Sequence, residues 1–298
     1  MRVAWAAWVQ GLLGLAKAAL FVTIAVILIQ QVYFWPSRLA ATRADVINRF
    51  EQERKSRVIA LIHRQETVSV FGVPVSSNIT IEDSEAVLRA IRLTPEAQPI
   101  DVILHTPGGQ VLAAEQIAKA LSERKAKVTV FVPHYAMSGG TIIALAADEI
   151  VMDANAVLGP VDPQVGDMPA ASIVRAVEIK GPANVSDQML VLADVAQKAR
   201  IEVAFFVSEL LRKHYPHKKA IEIATILSEG RWTHDFPILV VNAKQLGLPV
   251  STDMPRTVYD LMDLYPQGAK GRPSVLYVPV RRGFGGSDLF PSLPGLFP

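Results

Sequence analysis

The chain has 298 residues, half of them hydrophobic and 19% charged, enough for one sizeable core with appendages. Its 30 basic and 28 acidic residues leave a net charge of +2, without the clustered basic face that nucleic acid requires. Cysteine is absent, which excludes disulfides, thiolate metal sites and a cysteine nucleophile.

The mean hydropathy of +0.28 is high, and much of the excess sits in the first 35 residues. Residues 18–35 carry no charge, 3–16 carry none either, and Lys17 stands between them. A helix of about 20 apolar residues crosses a hydrocarbon core, and Lys17 can snorkel to its edge. Tyr33, Phe34 and Trp35 suit the membrane interface, and Pro36 closes the helix. These bulky residues also argue against signal-peptide cleavage, which needs small side chains. Residues 1–36 are therefore predicted to be a single-pass membrane anchor. Arg38, Arg43, Arg49, Arg54, Lys55 and Arg57 follow it, against Arg2 and Lys17 before it, which places the main domain in the cytoplasm. Residues 37–57 read as a charged amphipathic stalk.

Beyond the stalk, 58–62 and 68–71 read as strands, and Thr80 and Asp83 as caps for a helix over 85–91. A short β-branched run at 100–104 ends in Thr106-Pro107-Gly108-Gly109, and a helix is predicted over 111–121. A strand at 128–132 stops at Pro133, a buried helix covers 141–147, and another strand covers 149–152. Helices at 187–211, 218–227 and 240–246 follow. Short apolar strands alternating with helices indicate an α/β domain, 58–266, whose parallel sheet is buried on both faces. Residues 267–298, rich in Gly and Pro, read as a flexible tail.

Two glycine pairs each follow a strand: Gly108-Gly109, and Gly139-Gly140 directly after Ser138. Paired glycines let the backbone turn sharply and bring bare N–H groups to a substrate, where they can form an oxyanion hole. Ser138 is then a candidate nucleophile. A helix cap flanked by tight turns accounts for the same local pattern.

The blocks 105–109 (His-Thr-Pro-Gly-Gly), 132–141 (Val-Pro-His-Tyr-Ala-Met-Ser-Gly-Gly-Thr) and 158–164 (Leu-Gly-Pro-Val-Asp-Pro-Gln) resemble the signature blocks of the serine dehydrogenase proteinase family. This is the prokaryotic Clp-fold branch near signal peptide peptidase A, and 232–238 and 265–267 fit it as well. The resemblance covers about 58–280. It implies a Clp/crotonase-like ββα spiral, peptide-bond hydrolysis with Ser138 as nucleophile, and oxyanion donors at Gly108, Gly109 and Gly139. It also implies a homo-oligomer acting on a peptide or protein substrate without a cofactor.

The general base must lie within hydrogen-bond reach of the serine hydroxyl. Clp-type peptidases place a His a couple of dozen residues after the serine, where this chain has Asp162 and no His. Signal peptide peptidase A and its relatives use a lysine on a long helix, which Lys198 matches best, with Lys180 second. Apolar neighbours around Lys198 would depress its pKa, as a lysine base requires; an i,i+4 pair with Asp194 on a solvated face is the plainer reading. His105, before the Pro-Gly-Gly turn, His134, four residues before Ser138, and Asp162 are candidates for site-adjacent roles. His234-Asp235 reads as structural, because adjacent side chains of an extended segment face opposite ways. His63, His214 and His217 read as solvent-facing, and no set of residues has metal-ligand spacing. The sequence thus predicts a membrane-anchored Ser138–Lys198 peptidase. The alternatives are a catalytically degenerate scaffold on the same fold and an acyl-CoA crotonase; the latter is disfavoured by the serine and the anchor.

Overall fold

A computed structural model of the chain describes residues 14, 16–26, 35–63, 69–70, 73–74 and 78–265. Helix α1 (Trp35–Arg54) leads into strand β1 (Arg57–Ile62), and a short hairpin follows, β2 (Ser69–Val70) and β3 (Val73–Pro74). Then come α2 (Ile81–Leu93), β4 (Ile100–His105), α3 (Val111–Ser122), β5 (Val128–Val132), β6 (Tyr135–Ala136) and α4 (Gly139–Leu145). The middle of the chain forms β7 (Glu149–Met152), β8 (Val157–Leu158), β9 (Gln164–Val165), β10 (Met168–Pro169) and α5 (Ala170–Lys180). The last third is α6 (Asp187–Leu211), α7 (His217–Ser228), β11 (Ile238–Leu239), α8 (Val240–Leu246), β12 (Val250–Ser251) and α9 (Arg256–Asp263).

The central sheet has five strands in the order β1-β4-β5-β7-β12, each adjacent pair parallel. Parallel strands need crossovers and are buried on both faces, and these strands alternate between two apolar clusters. Val102, Leu104, Val130, Val132, Ile150 and Met152 face the larger core, beneath α2, α3, α4, α6 and α7. Ile103, Phe131 and Val151 face the opposite way, onto Val46, Phe50, Val258 and Leu261 of α1 and α9. A second sheet, β11-β8-β6, stands outside the first. A long strand, a short outward strand and a helix thus recur in β5-β6-α4; in the preceding unit Thr106 makes a single bridge to Ala136 between β4 and α3. This is the α/β, Clp-like arrangement of ββα units.

Two expectations change. The predicted stalk is part of the domain: Phe50 is 1% exposed, and Arg54 makes a two-pronged ion pair with Asp101 beneath the sheet. Ser56 also donates to Asp101 at 2.7 Å, so the buried carboxylate is satisfied. Near the middle of α1, Arg43 stacks on Tyr265 at 3.8 Å and donates to the Leu264 carbonyl. The apolar residues of α1 are its inner face, which the chain's high charge there conceals. The second change concerns the anchor. Residues 16–26 are helical, with Leu20, Phe21, Val22, Ile24 and Val26 exposed. Among the described residues no helix is long and apolar enough to cross a membrane. Residues 1–13, 15 and 27–34 of the predicted anchor, and the tail 267–298, lie outside the described residues, so the predicted single-pass span is not established.

Candidate active site

Beyond the carboxyl end of β4, and beyond β6, the short strand that follows β5, the chain opens into two glycine turns, and an open-sheet α/β fold binds ligands at such strand ends. Gly108 has φ of 108° and Gly109 of 155°. A Cβ on Gly109 would lie 2.3 Å from the Ile79 backbone, so only glycine fits there. Ile79 N–H donates to the Gly108 carbonyl at 2.7 Å, and Gln110 N–H donates to the Ile79 carbonyl at 2.9 Å. This bridge leaves the intervening Gly109 N–H out of its ladder. A Cβ built on Gly108 would sit 2.8 Å from Ser138 Cβ and 3.3 Å from Gly139 N. The two turns therefore lie face to face.

Ser138 takes φ 51° and ψ −118°, a backbone region that side-chain-bearing residues avoid. Such strain costs about 1–3 kcal/mol and persists only where its surroundings impose it. Here Gly140 N–H donates to the Met137 carbonyl at 2.7 Å, closing the turn, and Gly140 packs on Thr106, where a Cβ would meet Thr106 Cγ2 at 2.6 Å. The buried Thr141 hydroxyl bonds the Ala136 carbonyl and both the carbonyl and N–H of Gly159, tying this turn to the segment that carries Asp162. Gly139 heads α4, so its N–H has no carbonyl partner within the helix.

Ser138, Gly108, Gly109 and Gly139 line one cavity of about 220 Å³, and so do Asp162 and His234. Asp162, 2% exposed, accepts from His234 Nδ1 at 2.9 Å through one carboxylate oxygen and from Gln164 Nε2 at 2.8 Å through the other. A carboxylate only accepts, so Nδ1 carries the proton and Nε2 is the free acceptor of the imidazole. Strand pairing explains how His234 arrives 72 residues after Asp162. β11 runs antiparallel to β8 with Ile238 opposite Leu158. Four residues back from Ile238 is His234, and four residues on from Leu158 is Asp162. Trp232 and Phe236, which flank His234 in sequence, stack on each other with ring centroids 5.0 Å apart and brace the segment that carries it.

The expected base is elsewhere. Lys198 lies on the outer face of α6, 65% exposed at its side chain and paired with Asp194 at 2.5 Å, and it does not line the cavity. Lys180 is exposed at the end of α5. His105 is buried in β4 and packs on Tyr135 with centroids 4.3 Å apart; exposed His134 packs beside both, and neither lines the cavity. His234, read as structural from its neighbour Asp235, is the histidine of the site, with Asp162 as its partner. The local sequence gave no sign of this beyond the presence of both residues.

His63 is also not solvent-facing. Its Nδ1 lies 3.0 Å from Thr106 Oγ1 and its Nε2 3.2 Å from Asp83 Oδ2, with the side chain 12% exposed. Burial holds its pKa below the usual imidazole value, and Asp83 pulls the other way.

The family of ClpP-like SDH-type serine proteinases matches residues 9–284. An uncharacterized protein of Methanocaldococcus jannaschii is 58% identical over 80% of this chain and 81% of its own. Membrane protein NfeD1b of Bacillus subtilis is 31% identical over 44% of this chain and 27% of its own. Among solved structures, ClpP1 from Listeria monocytogenes is 16% identical, covering 69% of this chain and 96% of its own, with a TM-score of 0.43. With the family matched across nearly its whole length, from the segment before α1 to beyond α9, the chain belongs to the ClpP-like SDH-type serine proteinases.

Proposed function

We propose that the chain is a serine endopeptidase working through Ser138, His234 and Asp162, in place of the Ser138–Lys198 dyad expected from the sequence. The observation that carries this is the 2.9 Å bond between His234 Nδ1 and the buried Asp162, in the cavity that Ser138 lines. His234 Nε2 takes the proton from Ser138 Oγ as the oxygen attacks the scissile carbonyl carbon, and Asp162 stabilises the imidazolium that forms. The carbonyl oxygen, now an oxyanion, is received by the N–H groups of Gly109 and Gly139. The imidazolium then gives its proton to the departing amine, and water, deprotonated by the same nitrogen, releases the acyl group from Ser138.

The cavity's apolar walls, Val111, Ile142, Val161 and Val203, favour a peptide with a small or medium apolar side chain before the cut bond. The uncharged run at 18–35 and the likeness to a membrane protein support work at a bilayer surface. The exposed Val191, Val195, Ile201 and Phe205 of α6 support assembly into a homo-oligomer.

The test is covalent labelling of detergent-solubilised protein with a fluorophosphonate. Labelling should vanish in Ser138→Ala and slow by about a hundredfold or more in His234→Ala, since general-base catalysis contributes about 10²–10⁴. A His234→Ala protein labelled at the wild-type rate would sink the assignment, and an unlabelled, folded wild type would sink the peptidase reading.

A further inference from the structure

Behind the Gly108–Gly109 turn lies a second set of side chains that the reaction itself does not touch. Thr106, fully buried, accepts from Gly108 N–H at 3.2 Å, and its hydroxyl is 3.3 Å from the Gly108 carbonyl. It is also 3.0 Å from His63 Nδ1. Asp83 Oδ2, 3.2 Å from His63 Nε2, accepts from Thr80 N–H at 2.8 Å and from the Thr80 hydroxyl at 2.9 Å. Thr80 follows Ile79, whose backbone clasps Gly109 on both sides.

One carboxylate oxygen thus terminates two struts to the same turn. The first runs Asp83–His63–Thr106 to Gly108, and the second runs Asp83–Thr80–Ile79 to Gly109. Helix α2 anchors both, because Thr80 and Asp83 form its capping box. Hydrogen-bond chemistry gives the first strut a direction. The carboxylate takes the proton on Nε2, so Nδ1 accepts the Thr106 hydroxyl hydrogen. The Thr106 oxygen is then free to accept Gly108 N–H. Each bond sets the orientation of the next: the first strut holds the Pro107–Gly108 peptide by its N–H, the second holds the Gly108–Gly109 peptide, which carries the Gly109 N–H, by its carbonyl, and Gly108 is pinned between the two from behind.

We propose that His63 and Thr106, tied to Asp83, are positioning residues that hold the Gly109 N–H aimed at the oxyanion. This rests on the serine-peptidase reading, in which that N–H is a donor. Neither residue lines the cavity, so they act on the transition state through the turn and leave ground-state binding of the peptide alone.

Inactivation by a valyl diphenyl phosphonate separates these effects, because its phosphonyl oxygen occupies the oxyanion position. The saturating rate of inactivation reports the oxyanion donors, and the half-saturation concentration reports binding. Thr106→Val keeps the shape of the side chain that packs on Gly140 and removes only the hydroxyl. The saturating rate should fall about ten- to hundredfold, the cost of misplacing a reacting group by about an ångström. Half-saturation should stay within about twofold in the same comparison. His63→Ala, nearer the surface, should lower the rate in the same sense, and Thr106→Ser should restore at least half of it. Unchanged rates in both Thr106→Val and His63→Ala overturn the proposal. So does a loss of rate that tracks a fall in melting temperature and is not rescued by serine. If the wild type is not inactivated, the serine-peptidase reading fails and this proposal with it. Wild-type inactivation with insensitive variants refutes the positioning role alone.

Discussion

Asp162→Asn separates a working triad from a chance neighbour of His234. The buried Asp162 carboxylate accepts two hydrogen bonds, from His234 at 2.9 Å and from Gln164 at 2.8 Å. Asparagine keeps the volume but offers one acceptor and one donor. If its NH₂ turns to His234, the imidazole must move its proton to Nε2, and the nitrogen facing Ser138 can no longer act as base. If its oxygen turns to His234, the tautomer survives but the imidazolium formed during attack has lost its counter-charge. Two unit charges about 4 Å apart at an effective dielectric of about 20 attract by about 4 kcal/mol. At about 1.4 kcal/mol per decade, that is about a thousandfold in rate. The expected result is a fluorophosphonate labelling rate about 10³–10⁴ below wild type, with the melting temperature little changed. A variant labelled within tenfold of wild type, folded and with His234 intact, would refute the triad.

Lys198→Ala should label at the wild-type rate and lose no measurable stability, since exposed ion pairs of this kind contribute about 0–1 kcal/mol; a hundredfold slower rate would restore lysine as the base. Arg54→Met should destabilise the domain by about 3–5 kcal/mol in chemical denaturation, because it leaves Asp101 buried with only the Ser56 hydroxyl; a loss below about 1 kcal/mol would show that α1 is not integral to the fold. Tyr259 donates to Asp153, and burial followed by that bond pushes its pKa up from 10.0 to about 12. The phenol form is the one the fold favours, so its contribution is complete below pH 10 and is lost as pH rises from 10 towards 12. Burial raises Tyr215 as well, so phenolate absorbance should show one late-titrating tyrosine fewer in Tyr259→Phe than in the wild type, and the variant's stability should fall less steeply over that interval.

Much of the fold was legible because its signals are local. The β-branched runs of β4, β5 and β7 are short, apolar and bounded by turns, and their predicted limits lie within one residue of those observed. Thr80 and Asp83 announced α2 through a capping box that spans only four residues. The Pro-Gly-Gly and Ser-Gly-Gly turns were readable because positive φ and close backbone approach demand glycine. Those same constraints placed Gly108, Gly109, Gly139 and Ser138 among the lining of one cavity.

The base proposed here was not legible, for a physical reason on each side. Apolar neighbours made Lys198 look buried, yet the outer face of α6 is itself apolar, with Val191, Val195, Ile201 and Phe205 exposed. Hydrophobic company in sequence therefore carried no information about desolvation, and Lys198 found Asp194 in solvent. His234 looked structural because its sequence neighbour Asp235 points the other way. Its true partner is brought to it by β8 and β11, strands of two residues each, too short to show any periodicity. The helix α1 was misread in the mirror sense: its charges marked a solvated face, while Val46 and Phe50 close the far side of the sheet. Sequence alone determined the strands, the caps and the two turns, because each depends on backbone and side-chain forces acting over a few residues. Which His meets which Asp, and which face of a helix meets solvent, depended on pairings across 47 residues or more, where only the packed chain decides.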